Sequence, residues 1–191
     1  KSVSISRESL LATALTVTVE ERKPFAKWCP PRLASSSGEA GEARCFLMDD
    51  GGFIFAEVSS DVAFSTPTTQ YIFRGGIANN MNVIEQRFAP AHFPGILVLL
   101  DLLGQAGFHP LGGSVVNNQD FVILLGEGFT LKVSFGQNAH TLTKNLELVL
   151  SSEPLKGKEN QIEYIDLRFD NRVYYKLFSG GESAFGGRGK T

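Results

Sequence analysis

The feature that most constrains this chain lies near its C-terminus. Ile162, Tyr164, Ile165, Leu167 and Phe169 are followed, across Asp170-Asn171-Arg172, by Val173, Tyr174 and Tyr175. β-Branched and aromatic residues at this density read as a strand pair, with the polar step as a tight turn or a bulge. Only glycine-rich sequence follows, so the last strand is expected to keep an open edge. An open edge is either a liability or a docking surface, and that choice frames the question of function.

A length of 191 residues suits one sizeable domain, or one domain with part of another. Lys and Arg number 18 against 20 Asp and Glu, a near balance with scattered cations that argues against nucleic-acid binding. The most apolar stretch, 93–108, is interrupted by Asp101, Gly104, Gln105 and Gly107, so it does not read as a membrane span. Leu10, Leu11 and Leu15 loosely imitate a signal-peptide core. They run into the alternating Thr16-Val17-Thr18-Val19, which reads better as a strand. A start at Lys1 reads as a fragment, with a targeting or membrane segment expected upstream.

Cys29 and Cys45 flank a polar, flexible loop. That arrangement suits a disulfide in an oxidising compartment and two unpaired thiols otherwise. Without nearby histidines, two cysteines leave a tetrahedral metal ion short of ligands, so no metal is expected.

Along the chain, Val3 and Ile5, then Leu15, Val17 and Val19, alternate with serine and threonine as two short strands. Residues 45–48 and 53–56 read as a hairpin around Asp49-Asp50-Gly51-Gly52, and 68–74 as a further strand. Phe93-Pro94 opens a helix whose Ile96, Leu99, Leu100 and Leu103 recur at helical spacing until Gly104 and Gly107 end it. Strands are expected at 114–116, 121–125 and 129–135, the latter two joined across Gly126-Glu127-Gly128. Leu142, Leu146, Val149 and Leu150 mark a second amphipathic helix, ahead of the final strand pair. The reading is an α+β fold, mostly antiparallel, with two helices and no βαβ rhythm. The glycine-rich stretch 179–191 reads as a disordered tail.

Candidate chemistry fares poorly. Residues 184–191 fit a relaxed phosphate-loop spacing, but no helix is expected after Thr191, and a solvated tail is the better reading. His92, His109 and His140 lack metal-ligand spacing, and no Gly-x-Ser-x-Gly turn marks a nucleophile. Asp49-Asp50 beside two glycines reads as a turn rather than a carboxylate pair. Asp166 and Arg168 share a strand face with Tyr164, where they either pair, contact a partner or form an ordinary solvated face. No enzyme and no cofactor are expected.

Three segments then resemble one family. The run from Thr16 through Glu20-Glu21-Arg22-Lys23-Pro24-Phe25-Ala26 to Trp28 resembles the end of the POTRA domain of the bacterial cell-division proteins FtsQ and DivIB. There a strand leads into a Glu-Arg-x-Pro-x-Ala junction. The segment 45–55, with Asp49 and Gly52 between apolar residues, is similar to the family's next hairpin. Tyr164-Ile165-Asp166-Leu167-Arg168-Phe169 resembles its Tyr-(Val/Ile)-Asp-Leu-Arg-aromatic strand. All three occur in the family's order and spacing.

The resemblance implies partial POTRA strands over 1–24, a mostly antiparallel β domain with two flanking helices over 25–178, and the tail over 179–191. It implies a non-catalytic divisome scaffold, anchored in the cell membrane by one upstream helix, with this part on the periplasmic side at the septum. Its partners would be FtsB or DivIC and FtsL, bound by strand addition in control of septal peptidoglycan synthesis. Carried over by position, Arg168, Phe169, Asn171, Arg172 and Leu177 fall in the partner-binding region, and Val173, Tyr174 and Tyr175 complete the edge strand. Asn171-Arg172 replaces the family's small Ser-Gly pair. Two competing readings are a POTRA-like chaperone or assembly module of an envelope secretion system, and a hydrolase gathering a histidine and a carboxylate in a cleft.

Overall fold

Alternation along the strands becomes a sheet with one apolar face and one wet face. In the computed structural model, which describes residues 2–7, 15–31, 44–58, 71–78, 82–169 and 172–178, Phe121, Ile123 and Leu125 are buried while the intervening Leu124 is exposed. Leu131, Val133, Ile165 and Leu167 continue the buried face on the neighbouring strands.

The elements are β1 (Ser2–Ser6), β2 (Thr16–Glu20), β3 (Ala26–Cys29), β4 (Phe46–Met48), β5 (Ile54–Glu57), β6 (Tyr71–Arg74), α1 (Phe93–Gln105), β7 (Pro110–Val115), β8 (Asp120–Leu125), β9 (Thr130–Ser134), α2 (Ala139–Leu150), β10 (Ile162–Phe169) and β11 (Arg172–Leu177). A 3₁₀ turn at Glu159–Gln161 precedes β10. The fold is α+β. Strands β1 and β2 make a two-stranded sheet, and the remainder form a nine-stranded sheet in the order β11-β10-β9-β8-β7-β6-β3-β4-β5.

Most pairings in the large sheet are antiparallel, but β9–β10, β6–β7 and β3–β6 are parallel. This corrects the expectation of no βαβ rhythm. Helix α1 connects the parallel neighbours β6 and β7, and α2 connects β9 and β10. A helix laid across a sheet returns the chain to the end where it began, so the next strand runs the same way. The rhythm is obscured in sequence because β6 has only four residues and irregular chain separates it from α1.

Strand β7 begins at Pro110, four residues before its expected start at Ser114. Gly112-Gly113 sits inside the strand because the backbone leaves no room for side chains. Gly112 has φ +118°, and a Cβ there would lie 2.1 Å from the Ile72 carbonyl oxygen.

Both helices cover the apolar face. Pro94 occupies the first turn of α1, and Phe93, Ile96, Leu99, Leu100 and Leu103 form its buried stripe. At its end Gly107, φ +91°, turns the chain so that the Phe108 N–H donates to the Leu103 carbonyl at 3.0 Å. In α2 the Asn138 side chain caps the Thr141 N–H, and Leu142, Thr143 and Leu146 are buried. Under α1, Phe73, Phe88 and Phe93 pack with ring centroids 5.0–5.7 Å apart. Trp28 is buried beside them on β3, its indole N–H donating to the Gly75 carbonyl at 2.8 Å. Each such aromatic side chain contributes about 1.5–3 kcal/mol by leaving water.

Candidate functional site: the free edge of the sheet

Strand β11 terminates the nine-stranded sheet and, among the described residues, pairs with β10 alone. Its register sets Ile162 opposite Leu177, Ile165 opposite Tyr175, Asp166 opposite Tyr174 and Phe169 opposite Arg172. Two bulges, between Ile162 and Tyr164 and between Asp166 and Phe169, interrupt that ladder. Val173 and Leu177 pack partly against the core, which anchors the strand. Tyr174 is 48% exposed, Tyr175 43% and Phe169 48%. The Phe169 and Tyr174 rings meet edge to face at 5.2 Å. Arg172 is exposed, and Lys176 pairs with Glu163 at 2.6 Å, which holds its ammonium above the ordinary lysine value. An outermost strand directs alternate backbone N–H and C=O groups away from its neighbour. Asn171 lies outside the described residues.

Arg168 stands apart from this set. Its Nε and Nη2 donate to the two oxygens of Asp166 at 2.9 and 2.7 Å, and its Nη1 donates to Asp120 at 2.8 Å. The guanidinium thus reaches from β10 across β9 to β8. Asp120 also accepts from the Asn117 amide at 3.0 Å and the Ser134 hydroxyl at 3.2 Å. The Asn117 bond, aided by Arg168, holds the Asp120 carboxyl below its usual value against the opposing effect of burial. Burial pushes Asp166 up, but the Arg168 side chain and backbone N–H outweigh it and the net shift is downward. Asp166 above all, with Asp120, raises the Arg168 guanidinium, which stays charged throughout.

Of the three readings of the Asp166–Arg168 face, the pairing is the one the structure shows, and Asp166 is buried. Arg168 has its fork engaged by carboxylates of its own chain, so its charge serves the sheet before any partner. A charge reversal there is expected to destabilise the fold.

Cys29 and Cys45 are joined in a disulfide, S–S 2.02 Å, cross-linking the end of β3 to the residue before β4. Asp49 is a turn residue. It is buried, and its Oδ1 accepts from the Gly51 and Phe53 N–H groups at 2.9 and 3.0 Å. The histidines are dispersed. His92 stacks on Phe135 at 4.1 Å beside a cavity of about 170 Å³ with no carboxylate in its lining. His109 pairs with Glu127 at 2.8 Å on an exposed loop, and His140 is exposed in the first turn of α2. Among the described residues no group of three His, Cys, Asp or Glu is placed to hold a metal ion. Also among them, no helix is long and apolar enough to cross a membrane. The phosphate-loop-like stretch 184–191 and the tail lie outside the described residues.

Three interactions escaped the sequence reading. The Arg168–Asp120 pair joins residues 48 apart; its only trace is a charge on the outward phase of each strand. Arg22 pairs with Asp49 at 2.5 Å. The third is a backbone cover on the opposite edge strand, where the Ile54 N–H donates to the Gln86 carbonyl and the Glu85 N–H to the Ile54 carbonyl. Comparison with protein-family models and with curated protein sequences returned no match.

Proposed function

We propose that this chain is a non-catalytic binding scaffold whose β11 edge takes up an extended strand from a partner protein. The observation that carries the reading is the position of β11. It is an aromatic terminal strand, anchored inward by Val173 and Leu177, with no partner on its outer side among the described residues. Strand addition gives affinity through backbone hydrogen bonds, each worth about 0.5–1.5 kcal/mol net, and selectivity through alternate side chains. Half-exposed Phe169, Tyr174 and Tyr175 supply aromatic anchors of the kind that dominate binding energy.

With the three FtsQ/DivIB-like segments in order, the proposed setting is the bacterial divisome. The chain would be the extracytoplasmic part of a single-pass membrane protein that holds FtsB or DivIC and FtsL at the septum. The disulfide agrees with an oxidising compartment. Calorimetric titration with the FtsB/DivIC-type protein of the same organism tests this. Binding is expected for the native chain. It should be lost with a proline at whichever of Tyr174 and Tyr175 points its N–H outward, since neighbouring residues of a strand alternate in that direction. Equal affinity in both proline variants would move the docking surface elsewhere.

A further inference from the structure

The two-stranded sheet β1–β2 is not held by buried area. Its register pairs Val3 with Val19 and Ile5 with Val17, so these four share one face, and they are 57–68% exposed. Every residue of both strands is exposed. An isolated two-stranded unit is marginal in water, which turns attention to the short joint, residues 21–25, between this arm and β3.

Two side chains of that joint make specific contacts: Phe25 packs on Tyr71 with ring centroids 5.7 Å apart, and Arg22 reaches the turn between β4 and β5. The Arg22 Nη1 donates to Asp49 Oδ2 at 2.5 Å, and the guanidinium carbon lies 3.8 Å from the centroid of the Phe53 ring. Its acceptor is already fixed, because Asp49 is buried and its other oxygen binds the Gly51 and Phe53 N–H groups. Arg87 braces the same turn, donating to the Gly51 carbonyl at 3.1 Å with its guanidinium 5.4 Å from the Phe53 ring. Three residues after Arg22, the Phe25 N–H donates to the Met48 carbonyl at 2.8 Å. The joint is therefore pinned at both ends of a four-residue span, each time to the β4–β5 hairpin.

We propose that Arg22 is a clasp that fixes the direction in which the arm leaves the large sheet, so that the two sheets move as one body. The chemistry calls for arginine. A planar guanidinium lies flat on a ring while donating in its own plane to a carboxylate, and a lysine ammonium cannot do both. Phe53 supplies the face, and the Asp49 turn supplies a preorganised acceptor.

Backbone ¹⁵N relaxation on the disulfide-bonded chain tests the clasp. In the native protein, amides of β1 and β2 should share the rotational correlation time of β7–β9, with order parameters near the rigid value of about 0.85. Arg22→Ala should drop the arm below about 0.6 while amide shifts of β7–β9 stay in place. Arg22→Lys keeps a cation for Asp49 and loses the flat stack. It should give an intermediate value, and it serves as the decisive variant if Arg22→Ala disturbs the main sheet. Phe53→Leu should loosen the arm less than Arg22→Ala. An arm that tumbles independently in the native chain, or one equally ordered in the Arg22→Lys protein, would overturn the proposal.

Discussion

The two ends of the nine-stranded sheet are finished in opposite ways. At the β5 end, the segment around Glu85 and Gln86 covers Ile54 with two backbone hydrogen bonds of 2.8 and 2.9 Å, and Phe53 bridges to Arg87. A disulfide ties β3 to the start of β4. At the β11 end the described chain adds nothing outside the last strand, and its aromatic side chains stand half in water. Among the described residues, then, one edge is closed by backbone hydrogen bonds and the other is not, and an unpaired edge is either a liability or a docking surface.

Four measurements would break or sharpen that contrast. The largest effect is expected at the closed end. Replacing Cys29 and Cys45 together by serine should cost about 3 kcal/mol, the chain-entropy value for a loop of this size. That is a fall of roughly 6–12 °C in the melting temperature. An unchanged melting curve would mean the closed end is held by hydrogen bonds alone.

Arg168→Ala comes next, with an expected loss of about 2 kcal/mol in denaturant titration. It strands the buried Asp166 and one bond to Asp120, and partial solvation of the guanidinium reduces the cost below that of a fully buried pair. A loss near zero would return this network to the rank of a surface ion pair.

The pH dependence follows from the same residues. Asp120 and Asp166 both titrate below the ordinary aspartate value of 3.8 when folded. Their stabilisation is therefore fully present above that value and is lost as pH falls through the lower folded values. Melting temperature against pH should drop in that acid window, and the drop should be shallower in Arg168→Ala. Equal profiles would remove Arg168 as the cause.

The smallest effect on stability is reserved for the open end. One of Tyr174→Pro and Tyr175→Pro should cost less than about 1 kcal/mol, because its N–H makes no ladder bond. Loss of several kcal/mol from both would show that β11 is covered on its outer side.

Much of this architecture was legible in the residues, and the limits were physical. Two-residue alternation marked β1 and β2, β-branched and aromatic density marked β10 and β11, and helical spacing marked α1 and α2, because each backbone repeats its side chains with its own period. The strand pair β10–β11 followed from the aromatic and β-branched density of residues 162–175. The parallel pairings did not, since register between strands separated by a helix is set by three-dimensional packing. The cover on β5 was equally hidden. It depends on Glu85 adopting φ 72°, a conformation a glutamate does not advertise. Of the candidate site, the aromatic strand was readable. The diversion of Arg168 to Asp120 was not, because a charge on a strand face does not reveal which neighbour it will find two strands away.

The two bulges in the β10–β11 ladder have a consequence for the company this edge keeps. Bulges raise local twist, and a strongly twisted border is a poor template for the flat stacking by which identical strands build fibrils. Antiparallel self-pairing of two copies centred on Tyr174 would also set the Arg172 of one near the Lys176 of the other, opposing like charges. A twisted border that sets like charges together is thus a poor seat for its own twin.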